Sequence, residues 1–79
     1  MSEFKGKRVV ITGACGVFGQ WIAVAFAKAG ARVCLSDNRE DALASTLATL
    51  PGSGHITHTT ELTDAASVDA LVDLVAEAW

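Results

Sequence analysis

The sequence predicts an α/β fold in which three parallel strands alternate with three helices, in the order βαβαβα. Three short runs of apolar or β-branched residues alternate with three longer segments whose apolar residues recur at helical spacing. Such alternation implies a helical crossover after each strand, and these crossovers are right-handed. The predicted strand order is 3-2-1, with the second strand in the middle and one side of the first strand left unpaired.

The first strand and the first helix are both strongly apolar. The strand is predicted at residues 9–12, where the run Val9–Ile11 is typical of a strand covered on both faces. The helix is predicted over residues 17–29, and its inner face consists of Phe18, Ile22, Ala25, Phe26 and Ala29. Gly30 follows at the position where a left-handed residue commonly ends a helix.

The second strand and second helix repeat this arrangement. The strand is predicted at residues 32–36, with Val33, Cys34 and Leu35 as its core. The helix is predicted over residues 40–49, and its inner stripe consists of Leu43, Leu47 and Leu50. A Pro-Gly-Ser-Gly turn at residues 51–54 ends the helix, because proline removes a donor and glycine adds backbone freedom.

The third strand and third helix are less clearly marked. Residues 56–60 are polar and threonine-rich, which predicts an edge strand, since β-branched residues still favour extended backbone. Thr63 or Asp64 is expected to cap the last helix. The inner stripe of that helix is predicted to consist of Val68, Leu71, Val72, Val75 and Trp79.

The segment Thr12–Gly19, between the first strand and the first helix, carries three glycines at intervals of three: Gly13, Gly16 and Gly19. Glycines in this context let the backbone turn tightly and approach a pyrophosphate, while the helix presents free N–H groups to the anion. Asp37 follows Gly19 by 18 residues, at the end of the second strand, where an acid would hold a ribose hydroxyl. The pattern predicts a Rossmann-like dinucleotide site.

Other interpretations of these residues are less well supported. The glycines alone would also fit a turn, and Asp37 with Asn38 resembles one, but the flanking strand and helix favour the dinucleotide site. A carboxylate at Asp37 would repel a 2′-phosphate, which predicts NAD in preference to NADP. Arg39 opposes that preference, because a guanidinium two residues further on can accommodate the phosphate.

Composition limits the classes of function. A chain of 79 residues forms one small domain, yet 51% of it is hydrophobic, which suggests apolar surface meant for a partner or for further sequence. A net charge of −3 argues against nucleic acid, and no run approaches the roughly 18 apolar residues of a membrane span. Glycines interrupt the only apolar stretch that resembles a secretory signal, so the cytoplasm is expected.

The remaining reactive side chains predict no further chemistry. Cys15 and Cys34 form no Cys-x-x-Cys pair, and Cys15 is expected to pack as a small apolar group beneath the cofactor. His55 and His58 would point to opposite faces of a strand and lack a third ligand, so no metal site is expected.

Taken together, these motifs resemble the short-chain dehydrogenase/reductase family of NAD(P)-dependent oxidoreductases. The matching segments are Phe4–Lys7, Thr12–Gly19, Asp37 and Glu61–Asp64. The resemblance implies a doubly wound fold, of which residues 1–79 are the truncated N-terminal part, without a second domain. It implies a set of residues that bind NAD, or less favourably NADP: Gly13, Cys15, Gly16, Phe18, Gly19, Asp37, Asn38, Glu61 and Leu62.

The sequence departs from the family pattern at two positions. Val17 stands where most members have their middle glycine, and Gly16 moves that glycine one place earlier. The resulting spacing is similar to the branch of the family that acts on nucleotide sugars, whereas residues 42–50 and 65–68 are similar to the single-domain reductases, which we favour. Glu61 stands where the family usually has an aspartate that bonds the adenine amino group.

The family's catalytic residues have no counterpart in this sequence. Members use a tyrosine as general acid/base, a lysine four residues later and a serine, whereas this sequence has no tyrosine and its lysines all precede the second strand. The chain by itself is therefore expected to be an inactive fragment of an oxidoreductase. A missing C-terminal part or a partner chain is expected at the open edge of strand 9–12. The alternatives are a stand-alone NAD-binding or regulatory module and a small protein that adds its sheet edge to a partner.

Overall fold

The computed structural model describes residues 4–79 and contains the six predicted elements in the predicted order. They are β1 Arg8–Thr12, α1 Val17–Lys28, β2 Arg32–Asp37, α2 Glu40–Leu47, β3 Ile56–Thr59 and α3 Ala65–Ala78. The strands form a parallel sheet with β2 between β1 and β3. The predicted α/β class, strand order and edge position of the third strand are confirmed. No helix within the described residues is long and apolar enough to cross a membrane.

The register of the sheet brings the carboxyl ends of all three strands to one edge. Thr12 in β1 lies opposite Ser36 in β2, and the next residue, Asp37, lies opposite Thr59 in β3. In open parallel sheets, ligands bind in the crevice outside this edge. The three loops that follow the strands are therefore the place to look for a site.

The main core lies on the face of the sheet that α1 and α2 cover. It joins alternate strand residues, such as Ile11, Val33 and Leu35, to Ala23 of α1 and Leu43 of α2. Side chains alternate between the faces of a strand, so Val10 and Cys34 point to the opposite face. Cys34 is fully buried there, whereas Val10 is 41% exposed. Both faces of β2 are therefore covered, whereas the prediction that both faces of β1 are covered is wrong within residues 4–79.

The predicted inner face of α1 is wrong for Phe18, Ile22 and Ala25, which are exposed, whereas Phe26 packs against the core as predicted. Ala23 and Ala27 are buried against the sheet, whereas Phe18 is 75% exposed and Ile22 is 47% exposed. The reason is the close approach of Gly19 to the preceding loop, which places the helical row at residues 19, 23 and 27 against the sheet. Only small side chains fit along that row, and Phe18, Trp21 and Ile22 face outward.

The ends of the helices follow local chemistry. α1 stops at Lys28, and Gly30 adopts φ +96, which confirms its predicted left-handed role. α2 ends at Leu47, two residues earlier than predicted, although Leu50 is buried as expected. Asp64 proves to be the cap of α3, since its Oδ1 accepts the Ala66 N–H at 3.0 Å. Leu71 is the buried residue of that helix, and Val72, placed on the inner stripe by the sequence, is 60% exposed.

Candidate functional site

A cleft lies at the edge of the sheet where the three strands end. Its volume is about 160 Å³, and it is lined by Gly13, Ser36, Asp37, Asn38, Thr60, Glu61 and Leu62. Five of these residues were predicted from the sequence as cofactor-binding, and the structure brings them together. Ser36 and Thr60 were not predicted, although each directly precedes a predicted residue: Asp37 at the end of β2, and Glu61 in the loop after β3.

The loop after β1 is held in a tight turn by its glycines. Gly13 has φ +65, a left-handed conformation that side chains rarely adopt, and its carbonyl accepts the Gly16 N–H at 3.1 Å. Cys15, Gly16, Phe18 and Gly19 lie in this loop or in the first turn of α1, and they are not among the residues that line the cleft. The turn therefore places the start of α1 beside the cleft.

The Cys15 side chain belongs to the core. It is buried, and its Sγ lies 3.7 Å from the Thr46 hydroxyl, which donates to it. Cys15 therefore packs as a small apolar group, as predicted, and its predicted position beneath the cofactor stays a prediction. Its backbone carbonyl accepts a bond from the Gln20 side chain at 2.9 Å, which braces the loop against α1.

The N-terminus of α1 is suited to an anion. No side chain caps it, and no acidic residue lies in its first turn. The first N–H groups of a helix have no acceptor within the helix, and together with the helix dipole they favour a negative charge. This end of α1 is therefore a place where a phosphate group would be stabilised.

Asp37 is the most highly connected side chain of the cleft. Its Oδ2 accepts the Cys15 N–H at 3.0 Å and Nη2 of Arg39 at 3.3 Å. Its Oδ1 accepts the Arg39 N–H and Nε, both at 3.0 Å. Only 4% of the Asp37 side chain is exposed, against 57% for Arg39. The carboxylate thus ties the loop after β1 to the end of β2.

The charge state of Asp37 follows from these bonds. The side-chain hydrogen bonds from Arg39 are the main cause that lowers the pKa of Asp37 to about 2, and the N–H groups of Cys15 and Arg39 add to them. Burial acts in the opposite direction and is outweighed. Asp37 is therefore ionised at neutral pH, and both of its side-chain oxygens act only as acceptors.

Backbone bonds fix the same three loops. The Ala14 N–H donates to the Ser36 carbonyl at 3.1 Å, and the Thr60 N–H donates to the Asp37 carbonyl at 2.9 Å. The ends of the strands are thereby locked to one another. These backbone bonds and the buried Asp37 carboxylate together hold the cleft in shape.

The far wall of the cleft is built by the residues after β3. Oε1 of Glu61 accepts the Thr63 hydroxyl at 3.0 Å, and the Glu61 N–H donates to the Ser67 hydroxyl at 2.9 Å. Leu62 is 59% exposed and presents an apolar side chain next to the exposed Asn38. This wall offers apolar contact together with a carboxylate.

Asp37 should make stability depend on pH in the acid range. Its folded pKa of about 2 lies below the ordinary value of 3.8 for a free carboxyl, so its contribution to stability is present above about pH 4 and is lost as the pH falls toward 2. When the pH is lowered from about 5 to about 2, we expect the free energy of unfolding to fall by about 1 kcal/mol less for Asp37→Asn than for the unmodified protein. This figure allows for the screening of the exposed Arg39 by solvent. Urea unfolding between pH 2 and pH 5 measures this difference.

Asp41 provides the control for that experiment, since it is exposed on α2 and carries the same charge. Asp41→Asn should leave the acid dependence as it is in the unmodified protein. If Asp37→Asn and the unmodified protein lost stability in parallel, Asp37 would not be held by the bonds described above.

Comparison with known proteins identifies the family. The sequence profile of the short chain dehydrogenases matches residues 7–79. The chain belongs to the short chain dehydrogenase family. A short chain dehydrogenase/reductase of Gibberella zeae is 36% identical to it over 74 residues, which is 92% of this chain and 27% of that protein. The chain thus spans less than a third of the length of this curated relative.

Solved structures of short chain dehydrogenases share the fold closely. A short chain dehydrogenase/reductase from Burkholderia phymatum, in complex with NAD, superposes with a TM-score of 0.89 at 42% identity, over 99% of this chain and 28% of that one. A 3-ketoacyl-(acyl-carrier-protein) reductase from Brucella melitensis, complexed with NADH, has a TM-score of 0.88 at 29% identity, over 95% and 31%. The family resemblance drawn from the motifs is confirmed.

Proposed function

We propose that residues 1–79 form part of the NAD(P)-binding domain of a short chain dehydrogenase, with NAD preferred over NADP. The observation that carries the proposal is the ionised, nearly buried Asp37 carboxylate, which lies in the cleft beside the glycine loop. The solved relatives from Burkholderia phymatum and Brucella melitensis, which hold NAD and NADH, support the same class of cofactor. In this proposal residues 1–79 form one part of the crevice that binds the dinucleotide.

The parts of a dinucleotide can be assigned to the chemistry of the cleft. The pyrophosphate would lie at the uncapped N-terminus of α1, close to Gly13, Gly16 and Gly19. The adenosine ribose would bond the Asp37 carboxylate. The adenine would enter between Asn38 and the wall formed by Glu61 and Leu62. In this assignment Phe18, 75% exposed in the first turn of α1, faces the middle of the cofactor.

The reaction itself is proposed from the family. A bound nicotinamide supplies hydride transfer to or from a carbonyl or alcohol substrate, and this chain's residues bind and orient the dinucleotide. The proton would be moved by residues outside this chain, because the sequence has no tyrosine.

Apolar surface beside β1 supports the expectation of further sequence or a partner chain at that edge. Within residues 4–79, β1 pairs with β2 alone. The exposed large apolar side chains of β1 and α1 are Val10, Val17, Phe18, Trp21 and Ile22. Large apolar side chains exposed in such numbers commonly mark an interface. We propose that a fourth strand pairs with β1 and covers it.

Calorimetric titration of the protein as its gene encodes it, with NAD and then with NADP, tests the binding proposal. We expect both dinucleotides to bind, with the lower Kd for NAD. The codons after Trp79 test the enzyme proposal, since Asn-Ala-Gly followed by Tyr-x-x-x-Lys would supply the family's catalytic residues. A stop codon there would favour a stand-alone binding module, and no binding of either dinucleotide would reject both.

A further inference from the structure

Gln20 is a half-buried polar side chain near the start of α1, and no part of the dinucleotide has been assigned to it. Its Nε2 donates to the Cys15 carbonyl at 2.9 Å. Its backbone N–H donates to the Gly16 carbonyl, also at 2.9 Å. Gln20 therefore holds the two consecutive carbonyls that directly precede α1.

The side-chain bond of Gln20 decides where the hydrogen bonds of α1 begin. In a regular helix each N–H donates to the carbonyl four residues earlier, so the Cys15 carbonyl is the natural acceptor for the Gly19 N–H. Within residues 4–79 that backbone bond is not formed, and the first helical bond runs from the Gln20 N–H to the Gly16 carbonyl. The side-chain amide of Gln20 takes the acceptor that the Gly19 N–H would otherwise use.

Three N–H groups at the start of α1 stay free as a result. In the part of the chain that the structure describes, the N–H groups of Val17, Phe18 and Gly19 donate to no backbone carbonyl, and no side chain caps the helix. Free donors at a helix N-terminus stabilise an anion. A glutamine in a capping box accepts an N–H group, whereas Gln20 donates to a carbonyl and so uses up none of these donors.

The backbone of Cys15 is held on both sides by side chains. Its N–H donates to Oδ2 of Asp37 at 3.0 Å, and its carbonyl accepts Nε2 of Gln20. The Cys15 side chain is only 6% exposed, so it is anchored in the core as well. Without the Gln20 bond, the carbonyl is free to turn toward the start of α1, where its partial negative charge would repel a phosphate. Gln20 keeps that oxygen occupied.

We propose that Gln20 is a positioning residue, which holds the Cys15 carbonyl and thereby keeps the Gly19 N–H free for the pyrophosphate of the dinucleotide. The inference rests on the proposed function and concerns the phosphate end of the same cleft. Gln20 acts through the loop after β1, because its side chain is bonded to Cys15. Its loss should therefore weaken the ligands that carry phosphate groups and spare a ligand that has none.

Gln20→Leu removes the donor and keeps a side chain of similar size. We expect the Kd for NAD and the Kd for ADP to rise by about five- to ten-fold, which is the effect of losing one hydrogen bond. The Kd for adenosine should stay within about two-fold, because adenosine has no phosphate and leaves the start of α1 empty. Calorimetry with NAD and ADP, and ligand-observed NMR with adenosine, measure the three constants on the protein as its gene encodes it.

Two further variants complete the experiment. Gln20→Glu keeps the shape of the side chain but replaces its donor by an acceptor, so the loss of NAD affinity should be at least as large as in Gln20→Leu. Lys28→Leu places a leucine at the exposed far end of α1 and should leave all three constants unchanged. Circular dichroism checks that each variant retains the fold.

The outcomes are distinct. Weaker binding of NAD and ADP in Gln20→Leu, with adenosine unchanged, supports the inference. Weakening of all three ligands by the same factor, as a general loss of structure would cause, overturns it, and so does unchanged NAD affinity in Gln20→Leu or Gln20→Glu. Both results leave the proposed cofactor intact. Failure of the unmodified protein to bind NAD overturns the proposed function itself.

Discussion

Substitution of Gly19 by alanine is expected to destabilise the fold by about 3 kcal/mol. A Cβ at this position would lie 2.3 Å from the Gly13 carbonyl oxygen and 2.9 Å from the Ala14 Cα. Both are backbone atoms of the loop after β1, so no side chain can move aside to relieve the contact. The higher helix propensity of alanine would offset only about 1 kcal/mol of this cost. α1 would have to shift away from the sheet.

Urea unfolding with circular dichroism measures this loss. Gly16→Ala is the matched control, because its Cβ would meet only the Gly13 carbonyl oxygen, at 3.4 Å, and the φ of Gly16 is −73. We expect Gly16→Ala to change the free energy of unfolding by less than about 1 kcal/mol. Equal stability of Gly19→Ala and the unmodified protein would contradict the close packing of α1 on the loop.

Substitution of Asp37 by alanine is expected to reduce the preference for NAD over NADP by about 10- to 100-fold. The change removes the acceptor proposed for the ribose hydroxyls and also the negative charge that would repel a 2′-phosphate. It leaves the Arg39 guanidinium free to bind that phosphate. The ratio of the Kd values for the two dinucleotides, measured by calorimetry, gives the effect.

Asp41→Ala controls for the loss of one negative charge near the cleft, since Asp41 is exposed on the first turn of α2. It should leave the ratio within about two-fold of the original. Circular dichroism of Asp37→Ala checks that the fold persists without the bond to the Cys15 N–H. A folded Asp37→Ala protein with an unchanged ratio would reject the ribose role of Asp37.

The fold could be predicted from the sequence because each helix and strand carries its own local pattern of residues. The run Val9–Ile11, the Gly30 stop and the leucines of α2 each reflect the period or the backbone geometry of one element. The glycine loop and Asp37 added long-range information, because in a parallel sheet the residues after each strand meet at one edge. The cleft lined by Gly13, Asp37 and Glu61 agrees with that rule, although Glu61 was assigned to the cofactor only through the family resemblance.

The wrong predictions concern α1, where close packing and not the period of the apolar residues decides which face turns toward the sheet. Phe18 and Ile22 lie at helical spacing, and the pattern of apolar residues cannot distinguish a face packed on the sheet from one left for another element. The contact of Gly19 with the loop decides which face turns inward, and that contact depends on atomic distances. The two bonds from Arg39 to Asp37 were likewise beyond sequence reasoning, which placed the residues near each other but not in contact.

Hydrogen–deuterium exchange of the protein as its gene encodes it, with and without saturating NAD, tests whether a dinucleotide binds at the carboxyl ends of the strands. We expect slower exchange on adding NAD in three segments of this chain, residues 12–20, 36–40 and 60–64, which follow the three strands. Residues 52–56, at the opposite end of the sheet, should exchange at the same rate in both samples. Slowing that spares the three segments, or no slowing at all, would contradict a dinucleotide site in this cleft.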